Sequence, residues 1–161
     1  MNRKQLEMIH RIIRNSSHPE LSGVLRAAMS RRHRDAVNAL SAMSVTLLTH
    51  LIKYVALPGS RARIKWLGEV KGYISRFNVK NLSPQNHPWL TVEEITRDLN
   101  EDLSSPAFER HLSGTLETHA AEKKKIINLY HNRKTLRSWG LSLIYDSKGD
   151  LQVFLNGEKL L

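Results

Sequence analysis

Lysine and arginine are the side chains whose number and spacing in this chain most directly predict chemistry, because both bind phosphate. The 161 residues carry a formal net charge of +10, from 25 Lys and Arg against 15 Asp and Glu. Residues 53–90 hold seven basic and one acidic side chain, residues 91–119 hold two and seven, and residues 120–140 hold six and one. This split predicts basic faces beside an acidic segment on one compact body.

The basic segments predict binding of nucleic acid, DNA or RNA, through its phosphates. A solvated surface, an acidic protein partner and membrane phosphates are the alternatives. Residues 19–40 could also imitate a helix-turn-helix around Ser30, but the basic cluster would then lie at the turn and not along the second helix. The candidate phosphate-binding residues are Arg31, Arg32, Arg34, Arg61, Arg63, Lys65, Lys71, Lys123, Lys124, Lys125, Arg133, Lys134 and Arg137.

Histidines and carboxylates suggest two further sites, and both have simpler explanations. His111 and His119 are eight residues apart, whereas helical metal sites use pairs three or four apart. Glu94 and Asp98 share a helix face, as do Asp98 and Asp102, and such oxygen ligands suit magnesium in a nuclease. Because carboxylates are also favoured at the start of a solvated helix, neither a metal site nor a cofactor is predicted.

Two Arg–His pairs have six residues between them, Arg3 with His10 and Arg26 with His33. This spacing resembles the catalytic motif of the helical HEPN ribonucleases, in which the Arg and the His act on the scissile phosphate. The resemblance makes Arg26 and His33, which have the more basic surroundings, the candidate catalytic residues of a ribonuclease.

Apolar spacing predicts four helices in the first half of the chain. The first covers about residues 2–15, and a short second helix ends at Met29. Ser30 is a candidate N-cap for a third, which Pro58-Gly59 ends, and Ser60 is a candidate cap for a fourth. A loop is predicted over 78–88. His50 lies on the apolar stripe of the third helix and is predicted to be a hydrogen-bonded core histidine.

The second half predicts further helices and then a change of period. Thr91-Val92-Glu93-Glu94 has the capping-box spacing and predicts an acidic helix over 91–104. Ser105-Pro106 starts another, and residues 106–139 form either one helix or two. Alternation on both sides of residues 146–150 then predicts a β-hairpin, followed by a tight turn at Asn156-Gly157. Since two strands alone are marginally stable, this hairpin must pack on a helix, gain a third strand or pair with another chain.

Residues 34–77 resemble a bacterial family of helical proteins, the domain-of-unknown-function family numbered twenty-nine. The recurring core of that family is approximately Leu-Leu-x-His-Leu-Leu-Lys-Trp, followed by a Pro, an Arg-rich turn and a Trp. The matching residues here are 47–54, then Pro58, Arg61, Arg63 and Trp66, with Tyr54 where the family has Trp. The resemblance implies a helical-bundle fold. It implies no activity, because the family has no assigned chemistry.

These features together predict a mainly α fold. We expect one helical-bundle domain over residues 1–161, with five to seven helices up to about residue 140 and a small β-hairpin over about 141–161. The chain has no cysteine, no continuous apolar run of the secretory type and no apolar stretch of about 20 residues. A cytoplasmic protein without membrane contact is therefore expected.

The predicted function is that of a non-catalytic nucleic-acid-binding protein with an accessory or regulatory role. The first alternative is a protein-interaction or structural module, which would self-associate through the helix at 91–104 or through the C-terminal hairpin. The second alternative is the ribonuclease.

Overall fold

A computed structural model describes residues 7–9, 11–12, 19–82 and 87–161, with the backbone alone at residues 19–22, 25, 26, 29 and 118. The fold is mainly helical and ends in a small antiparallel sheet, as the sequence predicts. Residues 7–9 and 11–12 are helical, and the rest of the first predicted helix lies outside the described residues. The longer helices are α1 Pro19–Ala56, α2 Arg63–Asn81, α3 Val92–Leu103, α4 Pro106–Thr115 and α5 Ala120–His131.

Helix α1 runs without interruption through Ser30, so the predicted break at that residue is wrong. Serine can cap a helix, but its cap signal competes here with flanking Ala, Met and Arg residues that favour helix, and no proline stops the chain. The helix-turn-helix interpretation of residues 19–40 is therefore wrong as well, because the chain makes no turn there.

The core forms where α1 packs against α2. Among the described side chains of α1, burial begins at Ala36 and continues through Leu40, Leu47, Leu48 and Leu51 at helical spacing. The facing residues on α2 are Trp66, Val70, Ile74 and Phe77. Pro58 and Gly59 form the connecting turn as predicted.

Helix α2 begins later and ends later than predicted. Ser60 accepts a hydrogen bond from the Ala62 N–H at 3.2 Å, and the helix itself starts at Arg63. It continues to Asn81, four residues into the predicted loop. The extension places the fully buried side chain of Asn81 beside two other segments of the chain.

Asn81 joins α2 to the segment before α3 and to the sheet. Its Nδ2 donates to the Tyr145 hydroxyl at 2.8 Å, and its Oδ1 accepts from the Leu90 N–H at 2.9 Å. The Tyr145 hydroxyl in turn donates to the Leu90 carbonyl. Burial raises the pKa of Tyr145 to about 12, so this hydroxyl stays protonated and keeps donating at neutral pH.

The helices of the second half start at the predicted caps. Thr91 and Glu94 make both hydrogen bonds of the capping box at the start of α3, and Ser105 accepts from the Phe108 N–H at the start of α4. Residues 106–139 form two helices, because α4 ends at Thr115 and a single 3₁₀ turn, Glu117–His119, leads into α5. A second 3₁₀ turn, Arg137–Trp139, precedes the sheet.

The predicted hairpin is confirmed and gains a third strand. Strand β1, Leu141–Tyr145, pairs antiparallel with β2, Leu151–Leu155, and β2 pairs with β3, Glu158–Lys159. Asn156 and Gly157 both have positive φ, 52° and 83°, as the two-residue turn between β2 and β3 requires.

One face of the sheet packs on the helices through Leu141, Leu143, Leu151 and Val153. Gly140, with φ of 74°, leads into β1, and a Cβ there would lie 2.2 Å from Asn156 Oδ1. The sheet therefore needs glycine at this position.

Asn81→Ala is expected to lower the free energy of unfolding by about 2–3 kcal/mol, because it leaves the buried Leu90 N–H without its acceptor and opens a small cavity. Urea unfolding followed by circular dichroism measures the change. The matched control is Asn128→Ala on the exposed face of α5, for which we expect a change within about 0.5 kcal/mol. Equal effects from the two variants would contradict a bridging role for Asn81.

Candidate nucleic-acid interface

The predicted phosphate-binding residues lie in three groups, which differ in how far their charges are engaged by the rest of the protein. Arg31, Arg32 and Arg34 are exposed on α1, ahead of its buried stripe. His33, within this group, has its Nε2 3.7 Å from Glu94 Oε1 at the start of α3. The first group therefore lies beside the acidic helix, whose carboxylate partly offsets its charge.

The second group surrounds the turn between α1 and α2, and Arg63 has a structural role there. Its Nε donates to the Tyr54 carbonyl at 3.0 Å, and its guanidinium stacks 4.0 Å from the Tyr54 ring. Because Tyr54 lies at the C-terminal end of α1, Arg63 satisfies a carbonyl left open by that helix and offsets the negative end of its dipole. Arg61, Lys65 and Lys71 remain exposed, with Lys65 Nζ 4.0 Å from Glu69.

The third group is the densest, and we call it the α5 basic segment. It consists of Lys123, Lys124 and Lys125 on α5 and three residues after the helix, Arg133, Lys134 and Arg137. Within the described ranges, no ion pair joins any of the six to a carboxylate. Their charge is therefore available to an external anion.

Aromatic rings hold two cations of this segment in place. Lys134 Nζ lies 3.4 Å from the centroid of the Tyr130 ring, and the Arg133 guanidinium lies 5.2 Å from that of Trp139. Both rings are buried, and each is itself fixed by a hydrogen bond, from Tyr130 to the Leu103 carbonyl and from Trp139 to the Arg133 carbonyl. Cations on fixed rings lose less side-chain freedom on binding a ligand.

A shallow groove of about 530 Å³ runs along α5 and includes Lys124 and Lys125 of the α5 basic segment in its lining. Its lining comes from one face of the helix, with two lysines, two asparagines and two apolar residues: Ala121, Lys124, Lys125, Asn128, Leu129 and Asn132. Lysine supplies charge and asparagine supplies both a donor and an acceptor, which is a combination that suits a phosphodiester with its attached sugar.

The acidic helix α3 lies between the first and third groups. Glu94 faces His33 at one end, while Leu103 accepts from Tyr130 at the other. Nine helical residues separate these two contacts, which is about 14 Å along the axis. Glu93 and Glu101 are exposed on the same helix, so one polyanion spanning both basic groups would pass carboxylates.

The two positions of the alternative catalytic pair lie on one continuous helix. Positions 26 and 33 are two turns apart on the continuous helix α1, about 10.5 Å along its axis. The side chain of Arg26 lies outside the described residues, as do Arg3 and His10. The ribonuclease assignment therefore stays a prediction, with His33 beside Glu94.

Two of the five carboxylates on α3 are engaged in local contacts. Glu94 completes the capping box, and Asp98 accepts from the neighbouring Arg97 at 3.1 Å. In the part of the chain that the structure describes, no three His, Asp or Glu side chains are grouped closely enough to hold a metal ion.

Lys53 and His50 are functional groups that charge counting did not single out. Lys53 is buried, and its Nζ donates to the Thr115 carbonyl at 3.1 Å, at the C-terminal end of α4. Burial lowers the pKa of Lys53, and Glu69 opposes that shift. His50, the predicted hydrogen-bonded histidine, is partly buried at the margin of the core and has Nε2 against the Glu69 carboxylate.

Residues Ser30–Ala56 of α1 meet the length and composition criteria for crossing a membrane. Half of the most apolar window is buried inside the protein, against α2 and its neighbours. The core helix of a globular protein meets the same criteria, so this finding is weak evidence for a membrane span.

A comparison with protein families, curated proteins and solved structures finds no match for this chain. The resemblance of residues 34–77 to family twenty-nine therefore stays a prediction.

Lys53→Met and Lys53→Ala are expected to differ in stability. Methionine keeps the apolar stem and removes a poorly solvated charge, but it leaves the Thr115 carbonyl without its donor, so Lys53→Met should lower the free energy of unfolding by about 1 kcal/mol. Alanine also removes the buried stem, so Lys53→Ala should lower it by about 3 kcal/mol. Urea unfolding at pH 7.5 measures both. Equal losses would show that the ammonium, and not the stem, provides the stabilisation.

Proposed function

We propose that this protein binds nucleic acid through its phosphates, without catalysis, and that the α5 basic segment is the interface. The observation that carries the proposal is the concentration of six Lys and Arg within residues 123–137, none of them in an ion pair within the described ranges. An accessory or regulatory role follows from binding without chemistry.

The size of the segment suits several phosphates. Helix α5 has 12 residues and is therefore about 18 Å long, and the phosphates of one strand are spaced about 3.4 Å along the axis of a duplex. Four to six contacts are within the reach of its six cations. Each neutralised phosphate releases condensed counterions, so the affinity should fall steeply with salt.

The contacts available are those that position a protein on the backbone and do not read bases. Lysine supplies a flexible point charge, and two of the six cations lie over the protein's own rings. We therefore expect binding with little dependence on nucleotide sequence.

The α5 basic segment is preferred over the other two groups for physical reasons. Arg63 is engaged with the end of α1, and Lys65 is near Glu69. Arg31, Arg32 and Arg34 lie beside the start of the acidic helix, where Glu94 is close to His33. Repulsion from α3 opposes a polyanion that spans the first and third groups together.

A second candidate function is protein interaction, and a groove along α3 favours it. This groove has a volume of about 630 Å³ and is lined by Glu93, Arg97 and Glu101 together with Val92, Thr96, Asn100, Ser104 and Thr135. Its exposed glutamates make it a possible contact for a basic segment of another chain or of a second copy.

Charge reversal at the centre of the segment tests the nucleic-acid proposal. Lys124→Glu with Lys125→Glu should weaken the binding of labelled duplex DNA or single-stranded RNA more than tenfold, because the variant replaces attraction to phosphate by repulsion. Fluorescence anisotropy at two salt concentrations measures the affinity. For the unaltered protein, the logarithm of the affinity should fall against the logarithm of salt with a slope of about −4 to −5 on duplex DNA and about −3 to −4 on single-stranded RNA.

The matched control is Arg31→Glu with Arg32→Glu, which makes the same charge change on α1 and should weaken binding less than about threefold. Equal losses in both variants would mean that net charge and not the α5 basic segment binds the ligand. Absence of binding at low salt would overturn the proposal, and sedimentation velocity would then test self-association. Cleavage of the RNA that His33→Ala abolishes would favour the ribonuclease instead.

A further inference from the structure

His50 is a titratable side chain placed at the junction of α1, α2 and α4. Its side chain is 15% exposed, and Nε2 pairs with Glu69 of α2. Its second ring nitrogen, Nδ1, is buried, and no described group forms a hydrogen bond with it. The Tyr73 ring lies beside the imidazole, with the centroids 6.4 Å apart.

This arrangement fixes the form of the imidazole that suits the site. With Nε2–H donating to the Glu69 carboxylate, Nδ1 carries only a lone pair. Protonation would place an N–H at Nδ1, where the described residues offer no acceptor. A buried donor without a partner costs free energy, and part of a positive charge would be buried with it.

The charged groups around His50 oppose its protonation as well. Lys53 from α1, Lys65 from α2 and His111 from α4 face it as basic groups, against the single carboxylate of Glu69. Burial is the main cause that lowers the pKa of His50, the three basic groups lower it further, and Glu69 raises it.

The same junction holds α4 in place. Lys53 lies one turn after His50 on α1 and donates to the Thr115 carbonyl at the end of α4. A charged His50 would repel Lys53, and it would do so within a poorly solvated region where such repulsion is weakly screened. The effect of one proton on His50 can therefore extend from the α1–α2 pair to α4.

We propose that His50, Glu69 and Lys53 form a pH-sensitive lock between α1, α2 and α4, closed while His50 is neutral and loosened when Nδ1 takes up a proton. The lock is independent of the nucleic-acid proposal, because it acts through the stability of the fold.

The direction of the pH dependence follows from proton linkage. A lowered pKa in the folded state means that the unfolded chain binds the extra proton first, beginning near its ordinary pKa of about 6.5. The contribution of His50 to stability is therefore lost as the pH falls below about 6.5. Glu109 and Asp146, whose pKa values are lowered by hydrogen bonds, lose their contributions only at more acidic pH.

The test compares the unaltered protein with His50→Gln, whose amide can still donate to Glu69 and cannot be protonated. Urea unfolding at pH 7.5 and 5.5 gives the unfolding equilibrium constant for each. On acidification, the unfolding equilibrium constant should rise more for the unaltered protein than for the variant, by a further factor of about two to ten. The upper limit is about tenfold because a single proton taken up over this pH interval can change the constant by no more than that. Equal losses in both proteins would overturn the proposal.

His131→Gln is the matched control, because His131 is exposed and pairs with Glu109 through a contact that protonation strengthens. This variant should lose at least as much stability between pH 7.5 and 5.5 as the unaltered protein does. If His50→Gln does not fold, a titration of the His50 ring protons by NMR in the unaltered protein replaces it. Half-protonation below about pH 6.5 supports the lock, and half-protonation above it overturns the lock.

Discussion

Helix ends that become buried must find hydrogen-bond partners, and this constraint determines how the helices and the sheet of this chain meet. Asn81, the last residue of α2, provides its side chain to Leu90 and Tyr145. Lys53 provides a donor to the end of α4, and Arg63 provides one to the end of α1. Apolar packing brings the elements together, whereas these polar contacts select one way of placing them.

The same constraint divides the basic residues into two kinds. Lys53 and Arg63 neutralise carbonyls at helix ends, so their charges belong to the fold. Among the described residues, the α5 basic segment has no such partners, and its two ring-bound cations are held at the surface. A net charge read from composition overstates the charge that a ligand can meet, because it counts both kinds alike.

Features encoded by a few neighbouring residues could be predicted from the sequence. Thr91 with Glu94, Ser105 with Pro106, and Asn156 with Gly157 each form the local structure that their chemistry favours. The predicted break at Ser30 was wrong because a residue that can cap a helix marks a place where a helix can start, and does not require a helix to start there.

Features that depend on residues distant in sequence could not be predicted. Arg63 is predicted from the sequence to be a surface cation, because nothing near it in the chain shows that the end of α1 lies beside it. The partner of His50, Glu69, is likewise 19 residues away in the chain. Of the candidate interface, the dense run at 123–137 could be predicted from charge counting. The rings beneath it could not, because nothing in the spacing says that Tyr130 and Trp139 each turn one face toward a cation.

The hydrogen bond from the Asn156 N–H to the Gly140 carbonyl closes the ladder of β1 and β2 at one end, and the 146–150 loop closes it at the other. Both strands are five residues long with no bulge, so the count of residues between these two points decides which side chains face the helices. One inserted or deleted residue within a strand would turn the buried side chains on one side of the change outward and bring neighbours such as Ser142 or Gln152 to the core. Homologous chains that share this sheet should therefore vary in length elsewhere and keep the interval from Gly140 to Asn156 constant.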